Sequence, residues 1–189
     1  MPQHGDSDSR SAVDILIASD RVPANARPDL LTEDDIWALL EEVKDPEVPA
    51  VSVVELGIVR AVHWDGKELS IDVTPTSSGC PATELIEELI AEALRAAGFR
   101  DPKIKQVLTP AWTTDWITDE GKEKLRAFGI APPEGSSSKM SLLGEPEVIA
   151  CPHCGSKDTE RVSEFGSTAC KALYRCKECL EPFDYFKCI

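Results

Sequence analysis

Six of the seven cysteines lie between Cys151 and Cys188, and four of them fall into the pattern Cys151-x2-Cys154-x21-Cys176-x2-Cys179. Each C-x-x-C makes a tight knuckle that aims two sulfurs at one point, and two knuckles complete a tetrahedron of thiolates, the geometry of a closed structural zinc site. A rubredoxin-type iron accepts the same four ligands. A site with four protein ligands keeps no open position, so its expected role is structural. The 42 residues 148–189 bury too little core to fold alone, so the metal should supply much of their folding free energy. Cys170 and Cys188 are left over; they read as small buried apolar groups or as a second metal or redox pair. His153, inside the first knuckle, reads as a bystander. Phe183, Tyr185 and Phe186 either pack the ribbon hairpin or dock it on a protein surface.

The seventh cysteine stands apart, in TPTSSGCPATELI. Pro81 suits the first turn of a helix, which puts Cys80 at or near the N-cap, where unpaired N–H groups and the helix dipole favour a thiolate. Thr74, Thr76, Ser77 and Ser78 offer hydroxyl groups nearby, and Gly79 permits a tight turn. Such a thiol could be a nucleophile or a ligand for a soft metal, or it could simply be a half-buried helix cap. No His/Asp set accompanies it, which argues against a hydrolytic triad. Asp45 and Glu47, just after the first helix, form a carboxylate pair able to assist a metal site or a partner contact, or only a polar helix stop. With three histidines and no Glu-x-x-His, the chain lacks a diiron ligand set.

Several function classes are excluded by charge and hydropathy. The net charge is −14, and residues 148–189 hold six Lys/Arg and six Asp/Glu, so the whole surplus lies in residues 1–147. That field repels a phosphate backbone, and no nucleic-acid partner is expected. No run approaches the length of a membrane span. The N-terminal apolar run AVDILIA is broken by Asp14 and lacks a basic flank, so it does not read as a leader. The chain reads as cytoplasmic, where cysteines imply metal or redox chemistry rather than disulfides.

These residues need a frame. Residues 1–29 read as a mobile tail. Thr32 with Asp35 is a capping-box pattern opening a helix through Ile36, Leu39, Leu40 and Val43, ended by Pro46 and Pro49. IVRAVHW and LSIDVT flank Asp65-Gly66 as a hairpin. A second helix runs from about Pro81 to Ala97 with Leu85, Leu89, Ile90, Ala93 and Leu94 on its buried face, stopped by Gly98. KIKQVLT is a third strand, and a last helix spans Thr118 to Phe128. The expected fold is α+β: a two-layer α/β domain over residues 30–130 (helix, strand hairpin, helix, strand), a linker over 131–147, and a small zinc-ribbon-like domain over 148–189.

DPEVPAVSVVELGIV followed by TPTSSGCPATELI resembles the iron–sulfur cluster assembly domain family that includes SufT-like proteins. PAWTTDWITDEGKEKLRAFGIAPP and SEFGSTACKALYRCKECLEPFDYFKCI extend the likeness to PaaD-type accessory proteins of the phenylacetyl-CoA epoxidase system, over residues 32–189. The resemblance places the family's DPE motif on Asp45, Pro46 and Glu47 and its reactive cysteine on Cys80. The family's DLG falls on Glu55, Leu56 and Gly57, with Glu in place of Asp. Ser77 stands where an aromatic is common. The resemblance implies a non-catalytic maturation factor that uses Cys80, with Asp45, Glu47 and Thr74, to bind iron or an iron–sulfur cluster transiently or to contact a client. The ribbon, with its structural zinc, would then be a docking module. The implied clients are the oxygenase subunits and the ferredoxin-type reductase; a homodimer is among the assemblies the sequence allows. The rival readings are a stable structural component of the oxygenase and, further off, a nucleic-acid-binding ribbon or a thiol enzyme.

Overall fold

The computed structural model describes residues 28–65, 67–76, 82–133 and 148–187. The expected tail to residue 27, Gly66, residues 77–81 with Cys80 among them, the linker residues 134–147, and residues 188–189 with Cys188 lie outside them. The first helix, α1, spans Glu33–Glu42. Its capping box forms as the sequence predicts: Asp35 N–H donates to Thr32 Oγ1, and Thr32 N–H donates to Asp35 Oδ2 at 2.8 Å. Strands β1 (Val59–Trp64) and β2 (Leu69–Val73) make the antiparallel hairpin, with Asp65 Oδ1 accepting from the N–H groups of Lys67 and Glu68. A bulge leaves Arg60 out of register, and its guanidinium carbon lies 3.5 Å from the centroid of the Trp116 ring.

Helix α2 (Thr83–Ala96) then crosses back so that β3 (Lys103–Gln106) pairs parallel with β2, giving the order β1-β2-β3. Its N-cap is Ala82, which makes no side-chain cap bond, so the helix opens slightly later than Pro81 suggests. Its inward face is Ile86, Leu89, Ile90, Ala93 and Leu94, while Leu85 is half exposed. The expectation for Leu85 is therefore corrected. Ile86, Leu89, Ile90, Ala93 and Leu94 fall at i, i+3, i+4, i+7 and i+8 on one stripe, and Leu85, about 100° around the helix from Ile86, falls outside it. With Ile36 and Leu40 of α1 and Ile71 of β2, this face builds the main core. The α+β, two-layer class is the observed one.

Thr118 caps α3 (Asp119–Ala127), accepting from Gly121 N–H at 3.0 Å, and Gly129 turns the chain at φ +90°. Directly after it, β4 (Ile130–Ala131) joins the second sheet, whose order is β4-β7-β6-β5, with β5 Thr159–Ser163, β6 Lys171–Cys176 and β7 Pro182–Phe186. Ala131, the first residue of the expected linker, is thus in a strand, paired with Tyr185 of the ribbon's sheet. Phe183 and Tyr185 pack the ribbon's own core, whereas Cys170 and Phe186 belong to the main core, where Phe186 lies 6.0 Å from the ring of Trp112. The aromatic tail pattern therefore does both tasks, alternate residues of β7 facing alternate layers. Among the described residues no helix is long and apolar enough to cross a membrane.

Candidate metal cluster and carboxylate–thiol cavity

Both knuckles fold as their spacing requires. Cys151 N–H donates to Ser156 O at 2.8 Å and Gly155 N–H to Cys151 O at 2.9 Å; in the second, Cys176 N–H donates to Glu181 O at 3.1 Å. The ligand atoms of Cys151, Cys154, Cys176 and Cys179 all lie within 4.8 Å of one another. The sulfurs of Cys151 and Cys179 are 3.7 Å apart, and those of Cys154 and Cys176 are 3.6 Å apart. A tetrahedral ion with metal–sulfur bonds of about 2.3 Å separates its sulfurs by about 3.8 Å, so the four thiols fit one such ion. They cannot ionise independently. Hydrogen bonding from Cys179 N–H, outweighing burial, lowers Cys176 to about 7. Glu181 N–H favours the Cys179 thiolate, yet burial and the neighbouring thiols push that group up to about 12. A divalent cation is what allows all four to be thiolates together. The donor set and geometry make this a structural metal-binding site. His153 is not among the clustered donors.

The second site lies where the two sheets meet. The loop after α1 is drawn tight by Asp45, whose Oδ1 accepts from Glu47 N–H and Val48 N–H, each at 2.8 Å. This Asx-type turn explains the acidic residue before proline. Burial raises the Asp45 carboxyl above its ordinary range, against the pull of those two N–H groups and of Lys171. The turn leaves the Glu47 side chain facing the ribbon, and its Oε2 lies 3.8 Å from Cys170 Sγ. Cys170 also contacts Thr168 Oγ1 at 3.0 Å. Asp45, Glu47 and Cys170 line one cavity with Val73, Ile86 and Phe186. Thr76 and Thr83, on either side of residues 77–81, line it as well. Lys171, the neighbour of Cys170, is buried, with Nζ 3.9 Å from Asp184 Oδ2.

Thr74 stands differently. Its hydroxyl donates to Val107 O at 2.7 Å and its N–H to Ile58 O at 2.8 Å, so it ties β2 to the chain beyond β3, and it is not among the residues lining the cavity. The Glu55-Leu56-Gly57 corner is likewise occupied with the frame. Glu55 is ion-paired to Lys124 of α3 and accepts from Ser52 N–H at 2.8 Å. Burial opposes its ionisation, but these hydrogen bonds outweigh it and hold the carboxyl below its ordinary value. Gly57 has φ +68°, and a Cβ there would lie 2.6 Å from Trp116 Cβ. The contact of Cys170 with Glu47 carries no signal in the sequence, since it joins residues 123 positions apart.

Residues 33–105 match the family model described as "Iron-sulfur cluster assembly protein", and residues 135–187 match "PaaD zinc beta ribbon domain". The chain is 52% identical over 155 residues to a protein of Escherichia coli (strain K12) named as a putative 1,2-phenylacetyl-CoA epoxidase component, covering 82% of this chain and 92% of that one. It is 33% identical to the "Fe-S protein maturation auxiliary factor" of Porphyromonas gingivalis (strain ATCC BAA-308 / W83), covering 51% of this chain and 92% of the relative. It is 36% identical to the "Fe-S protein maturation auxiliary factor YitW" of Bacillus subtilis (strain 168), covering 48% of this chain and 89% of the relative. The two maturation factors are matched over about half of this chain, and the E. coli relative over most of it. A cluster-assembly domain joined to a four-thiol ribbon, together with the near full-length likeness, places the chain in the PaaD family of phenylacetyl-CoA epoxidase components.

Proposed function

We propose that the chain is a non-catalytic, cytoplasmic maturation factor, one that supports assembly of an iron or iron–sulfur centre in the phenylacetyl-CoA epoxidase system. The observation that carries this reading is the pairing on one chain of a cluster-assembly domain with the PaaD zinc ribbon. Relatives of the first half are named as Fe-S maturation auxiliary factors. The four ribbon thiols hold one structural zinc. The working thiol is Cys80, which the sequence tethers between Thr76 and Thr83, two residues that line the carboxylate cavity. Asp45 and Glu47 assist it by offering carboxylate oxygens to an incoming cation or a client. The clients are oxygenase subunits or their ferredoxin-type reductase, the components that carry metal centres. Thr74 acts here only by holding the strand in place.

The test is a reconstituted pathway supplied with wild-type or Cys80→Ser protein. The expected result is an intact fold and unchanged ribbon zinc, with lower metal-centre occupancy in the client. Full occupancy with Cys80→Ser would leave that cysteine no part in the chemistry. A second reading, a stable structural component of the oxygenase, is favoured by the name of the E. coli relative, which makes that protein one of the epoxidase's own subunits. It requires co-purification at fixed stoichiometry.

A further inference from the structure

We propose that the groove between the end of α3 and the ribbon is a docking site for a basic protein segment, one that carries an apolar anchor residue beside lysine or arginine. This deepens the maturation reading, on which it rests, by giving the chemistry through which a client is recognised.

Of the five phenylalanines, Phe99, Phe183 and Phe186 are buried. The other two, Phe128 and Phe165, are 54% and 65% exposed, and both line this groove. They come from different layers. Phe128 is the C-cap of α3, and Phe165 stands in the loop between β5 and β6. A single exposed apolar side chain is ordinary surface, whereas two large ones converging on one concavity mark a contact site. Ile130 and Leu173 continue the apolar lining. The groove has a volume of about 660 Å³, within the ~300–1,000 Å³ of clefts that hold ligands.

Charge selects the occupant. The titratable groups of the lining are Glu47, His153, Lys171 and Asp184. The Lys171 side chain is 4% exposed and its Nζ lies 3.9 Å from Asp184 Oδ2, so its ammonium is withdrawn from a ligand. The carboxylates of Glu47 and Asp184 are what the groove presents, and they match a basic side chain. Asp184 is fixed by Ser167, whose hydroxyl donates to Oδ2 at 2.7 Å. Lys187 Nζ lies 4.5 Å from the centroid of the Phe165 ring, a cation–ring contact that a partner's lysine or arginine would repeat at Phe128. Beyond the groove, the acidic surplus of residues 1–147 steers basic partners to the chain and repels nucleic acid, anionic lipid and a second copy alike. Glu47 lines both this groove and the carboxylate–thiol cavity. A segment seated here therefore abuts the loop of Asp45 and Glu47, where the maturation reading needs a client.

The experiment uses the isotope-labelled full chain with its ribbon loaded with zinc. The probe is a short synthetic peptide of lysine, leucine and phenylalanine, titrated while backbone amide shifts are followed by NMR. The expected result is saturable shifts at Phe128, Gly129, Phe165, Gly166 and Leu173. The double variant Phe128→Ser, Phe165→Ser, changed at exposed positions, should keep the fold and bind at least about tenfold more weakly. Exchanging the peptide's lysines for glutamate, or its apolar residues for serine, should abolish the shifts. Shifts spread over the acidic faces of α1 and α2 instead overturn the site, as does a double variant that binds like wild type or a glutamate peptide that binds equally well. Self-association of the free chain that is lost in the double variant would give the groove to a second copy. Shifts at Phe128 and Phe165 on introducing Leu142→Ser and Leu143→Ser into the free chain would give it to the chain's own segment 134–147. Either result overturns the assignment to a partner. None of these readouts involves metal delivery, so the docking site can fail while the maturation reading stands, and the reverse.

Discussion

Gly155 and Leu180 hold the same place in the two knuckles, each following the second cysteine, and both have left-handed backbone, at φ +76° and +66°. Glycine adopts this conformation without strain; a leucine does not. The Leu180 side chain is 66% exposed, so its removal forfeits little burial. Leu180→Gly should stabilise the ribbon by about 1 kcal/mol. Slower metal loss to a chelator would register it, and faster loss would count against strain at this position.

At Gly57 the sign reverses. A Cβ there meets the Trp116 backbone oxygen at 2.8 Å as well as its Cβ. Gly57→Ala should cost about 2–4 kcal/mol in denaturant unfolding, since left-handed strain and overpacking act together. The Trp116 ring, stacked on Arg60, would have to move.

Glu55 supplies an acid limb. Its folded carboxyl lies below its ordinary value, so its contribution is present in full above the unfolded value of about 4.3 and is lost as pH falls from there through the folded value. Lys124→Met should therefore lower stability at neutral pH and flatten the decline on acidification. Asp45 has the opposite sign: its carboxyl is raised, so its burial disfavours the fold increasingly as pH rises above about 3.9 through the folded value. Asp45→Asn keeps an oxygen for the two loop N–H groups and should leave neutral-pH stability equal or higher. Unfolding curves across the acidic range check both.

The ribbon metal should matter beyond the ribbon. Phe186 packs beside Trp112, whose Nε1–H donates to Leu56 O at 2.9 Å, and β4 ties α3 to β7. Phe186→Ala should cost about 3–5 kcal/mol. Stripping the metal should also perturb the tryptophan fluorescence of the α/β core. The polar linker suggests a ribbon that unfolds alone; an unchanged core spectrum on chelation would favour that picture.

What the sequence discloses is local. The Thr32–Asp35 box, the Asp65 turn, the Thr118 cap and both knuckles are written in residues a few positions apart, and each forms as its chemistry dictates. Leu85 fails because two adjacent apolar residues leave the helix face ambiguous by one position. The hydroxyl of Thr74 looks available in sequence but is spent on a carbonyl 33 residues away. The meeting of Glu47 with Cys170, and the recruitment of Ile130–Ala131 into the ribbon sheet, depend on how two layers pack. No periodicity encodes that.

Maturation by turnover is tested most directly by the stoichiometry of rescue. Epoxidase components produced without this chain are mixed anaerobically with iron, sulfide and graded amounts of the purified protein, which is then removed before metal content and activity are measured. A maturation factor should restore occupancy well beyond one centre per molecule added, and activity should persist after its removal. Activity that rises only to an equimolar end point, and disappears when the chain is removed, would contradict that role and identify a structural component of the oxygenase.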